Sequence, residues 1–133
     1  ASRGGPTGRC QIEAAIQSAH IARRLSGRDN WPAILQLYDI LLGMTGSPVV
    51  LLNRAAALAA VEGPHAALAS LAPLAGDKRM LDYQPYWALR GHLLAETGDR
   101  AGAHEALTLA MGLSADPAVR RWLGARRAAL QDG

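Results

Sequence analysis

Seven positions recur along this chain at one constant offset. Leu52, Ala56, Ala59, Gly63, Leu68, Ala72 and Ala75 are followed 35 residues later (87 − 52 = 35) by Trp87, Gly91, Leu94, Gly98, Ala103, Leu107 and Ala110. Half a unit earlier, Ile34, Tyr38 and Leu41 take the places of Leu68, Ala72 and Ala75. The chemistry of such spacing is steric. Gly91 and Ala103 are small where two antiparallel helices cross, so their backbones approach closely, while Trp87, Leu94 and Leu107 fill the volume around the crossing.

A large residue, two small residues and a turn glycine in this order match the tetratricopeptide arrangement of helix, turn and helix. Each hairpin leaves one face uncovered, and the next hairpin stacks on it. The expectation is an all-α, tetratricopeptide-like stack of antiparallel helical hairpins with about seven helices. The competing arrangement is a plain helical bundle whose matches follow from alanine richness.

Composition agrees with helices. Apolar residues make up 50% of the 133 and are mostly Ala and Leu, Phe is absent, and β-branched residues are scattered rather than alternating. The length suits one ordinary domain. A single domain is therefore expected over 9–131. Ala1 to Gly8, rich in Gly and small residues, reads as a linker or cloning remnant at one end of a longer chain.

Caps and periodicity divide the rest. Ile12, Ala15, Ile16, Ala19 and Ala22 mark one face of a first helix from Arg9 to Leu25. Asp29 or Asn30 caps a second that opens with Pro32, with Trp31, Ile34, Leu35, Tyr38, Leu41 and Leu42 inward. Ser47 and Pro48 open a third, so apolar that burial on more than one side is expected. Gly63 and Pro64 break the chain before a fourth helix to about Leu74, with Ala67, Leu68 and Leu71 inward and Pro73 marking its frayed end. Gly76 to Asp82 reads as a polar connection. Helices then follow over 84–97 and 100–111, and a last one after Pro117 buries Val119, Trp122, Leu123 and Leu130.

The net charge of +3 is unevenly spread. Residues 31–112 hold five basic and seven acidic side chains, whereas both ends are basic. Arg23-Arg24, Arg120-Arg121 and Arg126-Arg127 lack the aromatic and polar interleaving of a base-reading surface, so no direct nucleic-acid binding is expected. One cysteine, Cys10, excludes an intramolecular disulfide framework and fits a reducing compartment. No apolar run reaches the roughly 20 residues of a membrane span. No membrane partner and a cytoplasmic location are expected.

Chemistry-bearing patterns are sparse. Cys10 stands near a helix start with no partnering base in the pattern. Gly4, Gly5 and Gly8 lack the Lys-Ser/Thr of a phosphate loop. His92 and His104 face one hairpin with Glu96 or Glu105 nearby, yet no two histidines have i, i+4 spacing. The expectation is no catalytic residue, no metal and no cofactor. A surface remains. The first helix of each hairpin lines the concave side of a stack, which makes Asn53, Arg54 and Leu58 on the third helix, and Tyr86, Arg90 and Leu93 on the fifth, candidate contacts. Asn53, Arg54, Tyr86 and Arg90 are the candidate partner-binding residues, Tyr and Arg being frequent interface anchors. An intrachain carboxylate on Arg90 and a core position for Tyr86 are the structural alternatives.

Several segments carry a family resemblance. They are Gln11-Ile12-Glu13-Ala14-Ala15-Ile16 with His20, Asn30-Trp31-Pro32 leading to Leu37-Tyr38-Asp39, and Thr45-Gly46-Ser47-Pro48-Val49-Val50 joined to Leu52-Asn53-Arg54-Ala55. Gly63-Pro64, the hairpin around Gly98 and Arg120-Arg121-Trp122-Leu123 continue the order. Over residues 10 to 130 the chain resembles the C-terminal tetratricopeptide-like extension of one group of bacterial extracytoplasmic-function RNA polymerase sigma factors. Cys10 departs from an aromatic residue in that pattern, Gly46 and Ala115 from proline, and Ser26 to Asp29 is shortened. The resemblance implies a non-catalytic protein-interaction or regulatory domain of a sigma factor acting in transcription initiation. Its implied partners are the upstream sigma domains of its own chain or RNA polymerase. A small-ligand-binding or enzymatic helical module is the alternative.

Overall fold

Proline and glycine set the helix ends in the computed structural model, which describes residues 6–132. The order is α1 (Pro6–Ser26), α2 (Trp31–Thr45), α3 (Pro48–Glu62), α4 (Pro64–Ser70), a 3-10 turn (Ala72–Leu74), α5 (Lys78–Leu81), α6 (Gln84–Glu96), α7 (Arg100–Leu113) and α8 (Pro117–Asp132). The described residues contain no strand, and the fold is all-α. No helix among them is long and apolar enough to cross a membrane. Of the segment read as a linker, residues 1–5 lie outside the described residues, whereas Pro6, Thr7 and Gly8 already belong to α1.

The chain divides into two compact units, with the boundary between Val61 and Glu62. In the first unit α1 and α2 form an antiparallel hairpin. Gly8 lies against Met44 at one end, while His20 meets Trp31 at the other. Ile16, Ile34 and Leu41 are its buried apolar residues. The Asn30 side-chain amide donates to the Ala19 carbonyl at 2.8 Å and ties the turn to α1. In α3, Ala55 and Ala57 are both fully buried although about 200° apart around the helix. The burial expected on more than one side is present.

The second unit is built on the antiparallel pair α6 and α7. Gly91 faces Leu107, and a Cβ on Gly91 would lie 2.8 Å from Leu107 Cγ. Ala103 and Ala110 are fully buried and Leu107 nearly so, which places three of the repeat positions in the core. Burying a side chain such as Leu107 contributes about 1.5–3 kcal/mol. Trp87 and Leu94 are half-buried around the crossing, and Gly98 is exposed in the turn with φ of +91°. α8 runs antiparallel to α7: Met111 Cε touches Gly124, and Arg127 donates to the Thr108 hydroxyl at 3.0 Å.

The repeat slips by one residue in α4. Ala67, Leu71 and Leu74 are the buried residues, 36 before Ala103, Leu107 and Ala110 (103 − 67 = 36), while Leu68 is half-buried and Ala72 and Ala75 are exposed. The turn accounts for the slip. Gly63 is itself the N-cap of α4, with φ of +99°, whereas α7 takes Asp99, the residue after Gly98, as its cap. One turn residue fewer advances the inward face by one position. Pro73, which has no N–H to continue the ladder, then ends the segment as a 3-10 turn.

Two further expectations change. The polar connection over 76–82 contains α5, anchored by buried Met80 and capped by Asp77, whose carboxylate accepts from the Arg79 N–H at 2.9 Å. Trp122, expected in the core, is 56% exposed. Leu123 occupies the inward stripe of α8 with Val119 and Leu130, and Trp122 is turned about 100° away from it.

Candidate functional site

In the first unit α1, α2 and α3 line an open cavity of about 260 Å³. Ile16, Leu41, Val49 and Val50 form apolar walls, and Glu13, Gln17, Tyr38 and Asn53 place polar atoms at its lining. Burial raises the pKa of the Tyr38 phenol, which keeps it a neutral hydrogen-bond donor through the neutral range. Asn53 thus stands at a lined depression. Arg54, the next candidate, does not reach outward: its guanidinium Nε donates to the Asp39 carboxylate of α2. The Asn53-Arg54 pair supplies one outward amide and one intrachain tie.

Beside this cavity lies an aromatic cluster. The His20 and Trp31 rings meet edge to face at 5.6 Å, Tyr38 lies 6.4 Å from His20, and the Arg23 guanidinium carbon stands 4.4 Å from the Trp31 ring centroid. Burial, with the nearby charges of Arg23 and Arg24, holds the His20 pKa below its ordinary 6.5. The imidazole therefore sits here as a neutral packing group. Arg23 Nε and Asn30 Oδ1 are buried without a hydrogen-bond partner among the described residues.

In the second unit the candidates separate. Tyr86, taken from its phase as a partner contact, is only 2% exposed, so it is a core residue. Its ring meets Trp87 edge to face at 5.0 Å, and the Trp87 indole donates to the Leu81 carbonyl at 2.8 Å. The unforeseen α5 packs on α6. Leu58 and Leu93 are likewise buried, and Arg90 is half-buried.

What the second unit presents instead is a groove along α6 and α8. Its two depressions, about 240 and 280 Å³, share His92 and Arg126. One is walled by Gly91, Ala95, Leu107 and Leu130, the other by Ala88, Leu89 and Trp122. The guanidinium carbon of Arg126 lies 4.9 Å from the centroid of the Trp122 ring, and Arg126 Nη2 donates to His92 Nδ1. A guanidinium has no acceptor, so Nδ1 is the accepting nitrogen and the imidazole proton sits on Nε2, 3.1 Å from Glu96 Oε1. The spacing His92 to Glu96 is i, i+4 and was visible in the sequence; their meeting with Arg126 depends on tertiary packing.

The other chemistry-bearing residues stay apart. No group of three His, Cys, Asp or Glu suited to a metal ion occurs among the described residues. His104 is exposed on α7, where its carbonyl accepts from the Thr108 hydroxyl. Cys10 is exposed and, because α1 begins at Pro6, sits in the second turn rather than at the helix start.

No family model matches the chain, and no solved structure matches it. The uncharacterized protein R00370 of Rhizobium meliloti (strain 1021) is 40% identical to it over 104 residues, which are 78% of this chain and 24% of that protein. The chain therefore spans about a quarter of the length of this relative.

Proposed function

We propose that this chain is a non-catalytic protein-interaction and regulatory domain of an alternative RNA polymerase sigma factor, acting in the cytoplasm during transcription initiation. One observation carries the reading. Three of the segments that resemble the sigma-factor extension meet in the first unit: His20 packs on Trp31 and Tyr38, Asn30 ties back to α1, and Arg54 pairs with Asp39. Residues of these three segments tie α1, α2 and α3 to one another and line the depression beside Asn53. Similarity to a quarter of a longer protein suits a domain joined to others. The partners would be the sigma domains of the same full-length protein or RNA polymerase.

The test is an NMR titration of the ¹⁵N-labelled chain with the separately expressed remainder of its full-length protein and with core RNA polymerase. Localised shifts with one of them are expected, and no shift with either overturns the reading. The cavity of about 260 Å³ favours a second reading, a small-ligand-binding helical module. A metabolite whose thermal shift is lost in Asn53→Ala and Tyr38→Phe would support it. Tyr86 variants do not serve here, because the residue is buried.

A further inference from the structure

The charges of the second unit are unevenly satisfied. Arg79 has the Asp77 carboxylate at 2.8 Å. Arg126 contacts an imidazole nitrogen and an indole face, neither of which carries a compensating negative charge. Its helix has Arg120, Arg121, Arg126 and Arg127 and no acidic residue from Pro117 to Gln131. The guanidinium is held by stacking on Trp122 and by the donor bond to His92, so its remaining N–H groups are oriented before any ligand arrives. Apolar depressions open on both sides of it, and Trp122 is 56% exposed above one of them.

We infer that the groove of α6 and α8 binds an acidic linear segment of a partner protein, with a carboxylate on Arg126 and an apolar side chain against Leu89 and Trp122. Charge complementarity selects the occupant, since a carboxylate supplies the planar, bidentate acceptor that a guanidinium fork fits. The apolar walls select a peptide over a phosphate backbone, which offers no apolar group to fill them. The inference rests on the reading of the chain as an interaction domain and names the surface and the chemistry of what it takes.

The experiment uses the whole chain, a twelve-residue peptide repeating Asp-Leu-Glu, its Asn-Leu-Gln counterpart and a twelve-nucleotide single-stranded DNA, with binding followed by NMR at the Trp122 indole and the α6 and α8 amides. The acidic peptide should shift these resonances, and the amide counterpart should bind about tenfold more weakly or worse. Arg126→Gln and Trp122→Ala should each weaken binding by a similar factor while leaving the melting temperature within a few degrees of the parent. Arg126→Lys, which keeps the charge without the fork, should fall between parent and Arg126→Gln.

Equal affinity of parent and Arg126→Gln, shifts confined to other helices, no binding of the acidic peptide, or tighter binding of the DNA would each overturn the inference. Titration with the remainder of the full-length protein separates the two proposals. Shifts confined to the first unit leave the sigma-factor reading standing and remove the groove as its site. Acidic-peptide binding at the groove, with no response to sigma domains or polymerase, supports the groove and removes the sigma-factor reading.

Discussion

Gly91 on α6 and Leu107 on α7 touch so closely that a methyl group on the glycine would stand 2.8 Å from Leu107 Cγ, 2.9 Å from Cδ2 and 3.3 Å from the Leu107 backbone nitrogen. The side-chain atoms can turn away, but the backbone nitrogen can move only with its helix. Gly91→Ala should therefore destabilise the second unit by about 1–3 kcal/mol through overpacking, despite a gain of about 1 kcal/mol in helix propensity. Urea denaturation should also show that Leu107→Ala costs less in the Gly91→Ala background than alone, because the added methyl occupies part of the cavity. Gly43, in α2 with nothing near its missing Cβ, is the control: Gly43→Ala should stabilise by about 0.5–1 kcal/mol.

Tyr86 distinguishes a core residue from a docking residue. Its ring is 2% exposed between neighbours, so Tyr86→Ala should cost about 3–5 kcal/mol of unfolding free energy, as large aromatic truncations do. The measurement is thermal or urea unfolding in the absence of any partner. A stable Tyr86→Ala protein that merely lost a binding activity would contradict the structure.

The hairpin of α6 and α7 could be read in advance because its information is local. The small residues Gly91 and Ala103, the turn at Gly98 and the large residues around them share one period, and the close approach they imply is present. In α4 the repeat positions lie one residue out of phase, while Ala67 and Leu71, expected inward, are buried; whether a turn glycine is itself the cap or precedes it is a matter of backbone conformation. The site was less legible. Alternation of apolar residues on α8 does not say whether Trp122 or Leu123 turns inward, and α5, which packs on α6, is a four-residue helix with too short a pattern to detect. The pairing of His92 with Arg126 joins residues 34 apart, a contact that only packing creates.

The difference between the two turns can be measured directly. Asp99 caps α7 by accepting from the Gly102 N–H at 2.9 Å, so Asp99→Ala should cost about 0.5–2 kcal/mol, while Asp99→Asn, an equally good cap, should cost little. Gly63 has no side chain to offer, and its φ of +99° strains any L residue. Gly63→Asp should therefore destabilise rather than improve the start of α4, even though Asp is the better cap by type. Stabilisation by Gly63→Asp would show that the positive φ is not required there.

His20 gives the fold a dependence on acidity with a definite sign. Burial, followed by the charges of Arg23 and Arg24, places its pKa below 6.5 in the folded chain, so the unfolded chain binds more protons around and below that pH. The neutral imidazole's contribution is complete above pH 6.5 and is lost as pH falls through 6.5 toward the folded value. The imidazole C–H resonance of His20 should titrate below 6.5, and its midpoint should rise in Arg23→Gln, which removes one of the opposing charges. Between pH 7.5 and 5.5 the parent should lose more stability in urea than His20→Gln. Equal slopes, or a His20 midpoint above 6.5, would mean that the ring is not held neutral by its place against Trp31 and Tyr38.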